Sequence, residues 1–330
     1  MTDTLSGRPG AGTDVGVDRE RGAGQRARPS RRFSFAWLGL MPFFAFVIVV
    51  FLVPIGFILF DAFRKTVVSG THRNPVTQQF VHTTRTFFTG ANISESLQGI
   101  YRTSLYTSVK LSAIAAVIGA VLGLVLAVAV VNSNSGLLRQ IAISAAAVTA
   151  NFGGIPLAFM FIATLDINSG VVTTFLQDHF HFSIVDDLHL NLYAQSGLTF
   201  VYLYFLIPLM VLVMSPALEG LKPQWAEASQ NLGASRFNYW RLVAAPVLMP
   251  SFLGALLLLF CSSFSAFATA YALNSSFPLV TIQIKSVLSG NVLAGQENLG
   301  AALALNMIII VLPLTVIYQL LQRRTSRWLA

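Results

Sequence analysis

Six apolar runs, near residues 36–60, 105–131, 140–165, 197–217, 248–273 and 299–321, are each long enough to cross a lipid bilayer. About 20 apolar residues in a helix span the roughly 30 Å of hydrocarbon. Inside that layer no water satisfies a free backbone N–H or C=O, so a chain built from such runs crosses as helices that pair their own backbone. The composition agrees: 55% of residues are hydrophobic and 10% charged, with mean hydropathy +0.68, against roughly 25% charged in a soluble domain. The chain is read as an all-α polytopic membrane protein with six transmembrane helices.

Placing the N-terminus in the cytoplasm puts residues 1–35, 132–139, 218–247 and 322–330 on that side. These segments hold 14 of the 21 Lys and Arg and 6 of the 13 acids, which satisfies the positive-inside rule. The net charge of +8 therefore reflects membrane orientation and calls for no nucleic-acid partner. The tail over 1–35 is too poor in large apolar side chains to bury a core and is expected to be disordered, with Arg26, Arg28, Arg31 and Arg32 meeting anionic lipid. Residues 36–321 then form one six-helix membrane domain, and 322–330 a cytoplasmic tail. The first run follows this polar tail and reads as an uncleaved anchor. Cys261, the one cysteine, falls inside the fifth run and reads as packing. In the second run Ala115, Gly119, Gly123 and Ala127 recur every four residues, a small-residue stripe that lets a neighbouring helix approach closely.

The inward loop 218–247 is polar between two membrane-length runs. Pro223 and Glu227 suit the first turn of a helix, where a missing N–H is harmless and the dipole favours negative charge. Gly233 can take positive φ and end that helix before Ala234-Ser235 opens a second. Phe237, Tyr239, Trp240 and Leu242, among Arg236 and Arg241, give the second helix an aromatic surface with basic edges, and Pro246 and Pro250 mark re-entry to the membrane. An amphipathic loop resting on headgroups has a similar composition.

Register distinguishes the two. Glu227-Ala228-Ser229, Gly233 six positions after the Glu, then Val243, Ala245 and Pro246 resemble the cytoplasmic signature loop of the transmembrane subunits of binding-protein-dependent ABC importers. Ser229 and Ala245 replace that pattern's second Ala and its Leu. The resemblance to type I ABC importer permeases covers residues from about 36 to 321. It implies that Glu227, Ala228, Ser229, Gly233, Val243 and Pro246 couple the chain to a cytoplasmic ABC ATPase dimer, which binds the ATP and Mg. It also implies a second permease, identical or related, an extracytoplasmic solute-binding protein, and residence in the bacterial cytoplasmic membrane with both termini inside. Residues 149–156 and 267–273 further resemble the polyamine, opine and phosphonate branch, implying solutes such as a polyamine or aminophosphonate. Related branches carry iron, thiamine, sulfate, sugars or glycerol phosphate.

Motifs for catalysis are missing: the chain has no phosphate loop, no His-Glu-x-x-His and no nucleophile elbow. Hence it is expected not to hydrolyse ATP alone and to carry no cofactor or metal. His179 and His181 with Asp178, Asp186 and Asp187 have the residue types of a zinc or copper site, but scattered polar residues on an outward loop read as solvated. Polar side chains within the spans are costly and so are candidates for a solute path. These are Asn151 beside the Gly153-Gly154-Ile155-Pro156 break, Ser262, Ser263, Ser265, Thr269 and Tyr271 in the fifth run, and Asn306 in the sixth. Lys110 reads as snorkelling from the outer end of the second helix. A stand-alone secondary transporter would carry mid-membrane ionisable groups and inverted repeats, and a membrane enzyme would need convergent nucleophile, base or ligands. Neither pattern is evident in the spans.

Overall fold

The structure, a computed structural model, describes residues 36–73, 80–184, 190–289 and 297–326. The basic tail 1–35, the stretch with Asp186, Asp187 and His189, and residues 327–330 lie outside the described residues, as do the side chains of His72 and His82. Two units are distinguished, Met1–Val50 and Phe51–Ala330, each taken by itself. In the first, α1 (Ala36–Val47) contains Pro42 and passes into a π-helical turn at Ile48–Leu52. Its Leu40, Met41, Phe43, Phe44 and Phe46 are exposed, as expected of a helix with lipid for solvent.

In the second unit α2 (Val53–Ala62) opens with Pro54, whose missing N–H is no loss in a first turn. A hairpin follows, β1 (Arg64–Arg73) antiparallel to β2 (Phe80–Phe88), with Arg64 opposite Phe88 and an irregularity between Val68 and Gly70. It was not foreseen from the helical hydropathy signal. Its threonines, valines and aromatics suit a pleated surface, and it joins two helices without being part of a long apolar one, so the spanning part stays all-α.

After α3 (Ala91–Ser96) comes α4 (Gly99–Val131), 33 residues or about 50 Å long. That exceeds the hydrocarbon thickness, so its first turns project beyond it. Lys110 is exposed where the apolar stretch begins. The third run is not one straight helix: α5 (Gly136–Asn151) and α6 (Ile155–Leu165) are bent by 101°. Gly154, at φ +77°, makes the bend. After α7 (Val171–Phe180), the fourth span is α8 (Gln195–Glu219).

Next come α9 (Pro223–Asn231), α10 (Arg236–Tyr239), a π turn at Trp240–Ala244 and α11 (Ala245–Ser265). The fifth run also departs from expectation. It ends at Ser265, because Ala266 is extended, and residues 268–273 form a separate helix, α12 (Ala268–Leu273). Finally α13 (Val280–Leu288) leads to the sixth span, α14 (Glu297–Ser326). Among the described residues five helices are long and apolar enough to span, and the bent pair supplies a sixth.

The core lies where α4, α8 and α11 meet. Lipid tails are as apolar as leucine, so close packing and hydrogen bonds hold such helices together, not exclusion of water. Ala115, Gly119, Gly123 and Ala127 are all buried. A Cβ on Gly119 would lie 3.0 Å from the Leu206 Cβ, and one on Gly123 would lie 2.9 Å from the Ile207 carbonyl oxygen. The stripe thus sets how closely α4 and α8 approach. Tyr202, fully buried in α8, donates its hydroxyl to the Ala266 carbonyl at 3.0 Å, in the break after α11.

Candidate functional site: the loop knob and the broken third span

The knob begins at α9, with Lys222 extended as N-cap and Pro223 at the first helical position. Glu227 falls in the second turn, one turn later than sequence reasoning placed it, because the helix starts at Pro223 itself. Its end is a complete Schellman motif. The Ala234 N–H donates to the Ser229 carbonyl at 2.9 Å, the Gly233 N–H donates to the Gln230 carbonyl at 2.8 Å, and Gly233 has φ +78°. Ser235 then caps the next helix, its hydroxyl accepting from the Asn238 N–H at 3.3 Å. That helix does not stop at Pro246. From Arg236 to Ser265 it runs unbroken into the fifth span, so Val243 and Pro246 belong to one continuous helix.

This geometry sorts the loop side chains. Glu227 and Ala228 are exposed, and Ser229 is half-buried with its hydroxyl donating to the Ala226 carbonyl at 2.8 Å. Leu232, Phe237 and Leu242 are 87%, 71% and 70% exposed, while Tyr239 and Trp240 turn partly inward, Trp240 against the core. Large apolar side chains left exposed on the same loop as the Glu227 carboxylate are candidates for a contact surface.

The second candidate is the break. The Thr269 hydroxyl accepts from the Gly154 N–H at 2.9 Å and donates to the Gly154 carbonyl at 3.2 Å, so α12 staples the bend of the third span. A cavity of about 220 Å³ lies there, with Asn151, Gly153, Gly154, Phe205, Ser262 and Thr269 among its lining. Asn151, exposed, donates its amide to the Ala147 carbonyl at 2.8 Å and is among the residues lining this cavity. Phe205 and Phe267 supply aromatic walls that polarity alone could not have flagged.

Other sequence candidates are not gathered into this cavity. The Ser265 hydroxyl donates to the Cys261 carbonyl at 2.9 Å, back along its own helix. Ser263 is buried and donates to the Ser112 carbonyl at 3.4 Å, across to α4. Asn306, also buried, donates to the Ser96 hydroxyl at 2.7 Å and ties α14 to α3. Tyr271 stacks on Phe267 with centroids 5.2 Å apart. Over the Tyr271 ring lies the Lys285 ammonium, 3.6 Å from the centroid. Lys285 was missed by sequence reasoning; its signal was that it is the sole basic residue between Arg241 and Arg323.

A clasp closes the far end of α6. Tyr193 donates its hydroxyl to Asp166 Oδ1 at 2.6 Å, and Asn274 donates to the Tyr193 carbonyl at 3.1 Å. Bonds from Tyr193 and then Ser169 hold the Asp166 carboxyl down at about 2, and the same bond raises the Tyr193 phenol. Among the described residues no group of three His, Cys, Asp or Glu could hold a metal. His179 instead stacks on Phe175 at 4.5 Å.

Residues 119–328, most of the chain and including both candidate sites, match the family described as binding-protein-dependent transport system inner membrane component. The chain belongs to that family. It is a type I ABC importer permease, the membrane component and not the ATPase. The permease is similar to a ferric transport system permease protein of Haemophilus influenzae, 30% identical over 137 residues, covering 41% of this chain and 21% of the relative. Another ferric permease, from Actinobacillus pleuropneumoniae, is 28% identical over 144 residues, 43% of this chain and 20% of its own. A sulfate transport system permease protein of Salmonella typhimurium is 35% identical over 75 residues, 23% of this chain and 27% of its own. The matched part spans about a fifth of the length of the ferric relatives. In fold, the permease resembles a bacterial ABC transporter involved in the import of the acidic polysaccharide alginate, with TM-score 0.64 and 14% identity over 88% of this chain and 95% of that one.

Proposed function

We propose that this permease forms half of the solute path of an ATP-driven importer and couples to a cytoplasmic ABC ATPase dimer through the knob running from α9 into α11. One observation carries the reading: Glu227, Leu232, Phe237 and Leu242 are exposed on a unit that a Schellman turn and an unbroken helix fix to the fifth span. A push on the knob is thereby delivered to a transmembrane helix. The other partners are a second permease, identical or related, and an extracytoplasmic solute-binding protein, in the bacterial cytoplasmic membrane with both termini on the ATPase side. ATP and Mg belong to the ATPase. Switching the permease from 1:99 to 99:1 between its two open states takes about 5.5 kcal/mol of differential binding.

The test is reconstitution with the ATPase. Glu227→Lys and Gly233→Pro are expected to abolish solute-stimulated ATP hydrolysis while membrane insertion and elution volume in detergent stay unchanged. Full transport by either variant would sink the assignment.

The path runs past the break at Asn151, Gly154 and Thr269, with Ser265, Tyr271 and Asn306 as the other residues named from sequence. The solute is a small polar molecule, a polyamine or an aminophosphonate by the resemblance of residues 149–156 and 267–273. A second reading, an anion of the sulfate or phosphonate type, is favoured by Lys285 over Tyr271: an ammonium fixed beside the aromatic wall repels a polyamine and attracts an oxyanion. Uptake of labelled putrescine, 2-aminoethylphosphonate and sulfate separates them. Loss of oxyanion uptake in Lys285→Gln supports the second reading, and putrescine uptake unaffected by that change refutes it.

A further inference from the structure

A cavity lies against α9, lined there by Pro223, Ala226 and Gln230. It measures about 790 Å³ and is open on one side. Its floor is the apolar ends of α4 and α8, Val128, Val131, Leu218 and Leu221. Its rim carries Arg139, Lys222 and Arg236 against one acid, Glu219. Arg139 and Glu219 pair with each other, so Lys222 and Arg236 are the uncompensated charges.

Neither is tied up. The Lys222 ammonium lies 5.9 Å from the Trp225 ring, a contact that leaves all three N–H donors available. Arg236 is exposed at the first position of its helix, and the Ser235 cap there is satisfied by backbone. Asn132 and Gln230 add amides to the same lining. A guanidinium offers a fork of donors to a phosphate, and an ammonium a point charge. An apolar floor beneath a cationic rim, at the end of the bundle where four spans emerge, matches the two halves of an anionic lipid.

We infer that this groove binds one phosphate-bearing anion, held by Lys222 and Arg236. Occupied, it fills the space between α9 and the ends of α4 and α8 and fixes the angle of the knob. The phosphate comes either from an anionic phospholipid headgroup or from a soluble phosphate. The site does not depend on coupling, because it is tested without the ATPase.

The full chain in uncharged detergent is titrated calorimetrically with short-chain phosphatidylglycerol, with phosphatidylcholine of the same chain length, and with inorganic phosphate. Saturable binding of phosphatidylglycerol, weakened at least tenfold in Lys222→Gln/Arg236→Gln and unchanged in Arg102→Gln, is the expected result and identifies a lipid. Binding of inorganic phosphate with the same dependence on the two side chains supports the site and identifies a soluble source. Phosphatidylcholine binding as tightly as phosphatidylglycerol, binding indifferent to the double variant, or no binding of either anion overturns it. Both altered side chains are exposed, and an unchanged helical circular dichroism spectrum shows that loss of binding is not loss of fold.

Discussion

Thr269 and Gly154, 115 residues apart in the chain, share two hydrogen bonds: the threonine hydroxyl accepts from the glycine N–H and donates to its carbonyl. The carbonyl has another donor, the Ala158 N–H at 3.2 Å. Among the described residues the Gly154 N–H has only Thr269. Thr269→Val keeps the shape and orphans that donor, at a cost of about 1–2 kcal/mol, while Thr269→Ser restores it. A lower melting temperature in detergent for the valine variant and a near-normal one for the serine variant are expected, and equal melting for all three would show that the staple is unimportant.

Gly123 should be the least replaceable member of the stripe. A Cβ there meets the Ile207 carbonyl oxygen and the Met210 side chain, and a backbone oxygen cannot swing aside. Gly123→Ala is expected to cost about 1–3 kcal/mol through overpacking. Gly136→Ala, with open space around it, is the neutral comparison. Yield of monodisperse protein reads the difference.

At Gly233 the backbone conformation decides the outcome, since nothing lies within 4 Å of a Cβ built there. Gly233→Ala should cost about 1–2 kcal/mol for a left-handed residue, and Gly233→Asn less, because asparagine tolerates that region. Protease sensitivity of the 223–246 segment should rank Ala above Asn above the parent chain.

Asp166 carries a pH dependence with a definite sign. Its carboxyl is held at about 2 instead of the ordinary 3.8, so the folded form prefers the carboxylate. The stabilisation is complete above about pH 4 and is lost as pH falls from there towards 2. Melting temperature in detergent should drop across that window, and Asp166→Asn should flatten the drop. An identical profile for the variant would show that the clasp to Tyr193 does not contribute.

Much of this was legible in the sequence because hydropathy, small-residue spacing and turn chemistry act locally. All six runs correspond to spans, counting the bent pair as one. Pro223 does start α9, and Gly233 does end it at positive φ. What went astray was also local in origin. Glu227 was placed a turn early although the start was read correctly: counted from Pro223 it falls just past the first turn. The hairpin of β1 and β2 was missed because an apolar count is blind to short strands outside the membrane.

The sequence by itself determined that the chain crosses the membrane as helices, which end of the bundle carries the loop, and that the third span must break at Gly153-Gly154, since each follows from residue type along the backbone. Only the tertiary structure decided which polar groups meet. Asn151, Ser262 and Thr269 line one cavity, whereas Asn306 turns to Ser96 and Ser265 to its own helix. A hydroxyl in a membrane must find a partner, but which partner depends on the helix packed against it, and that packing is fixed by contacts among residues far apart in the chain.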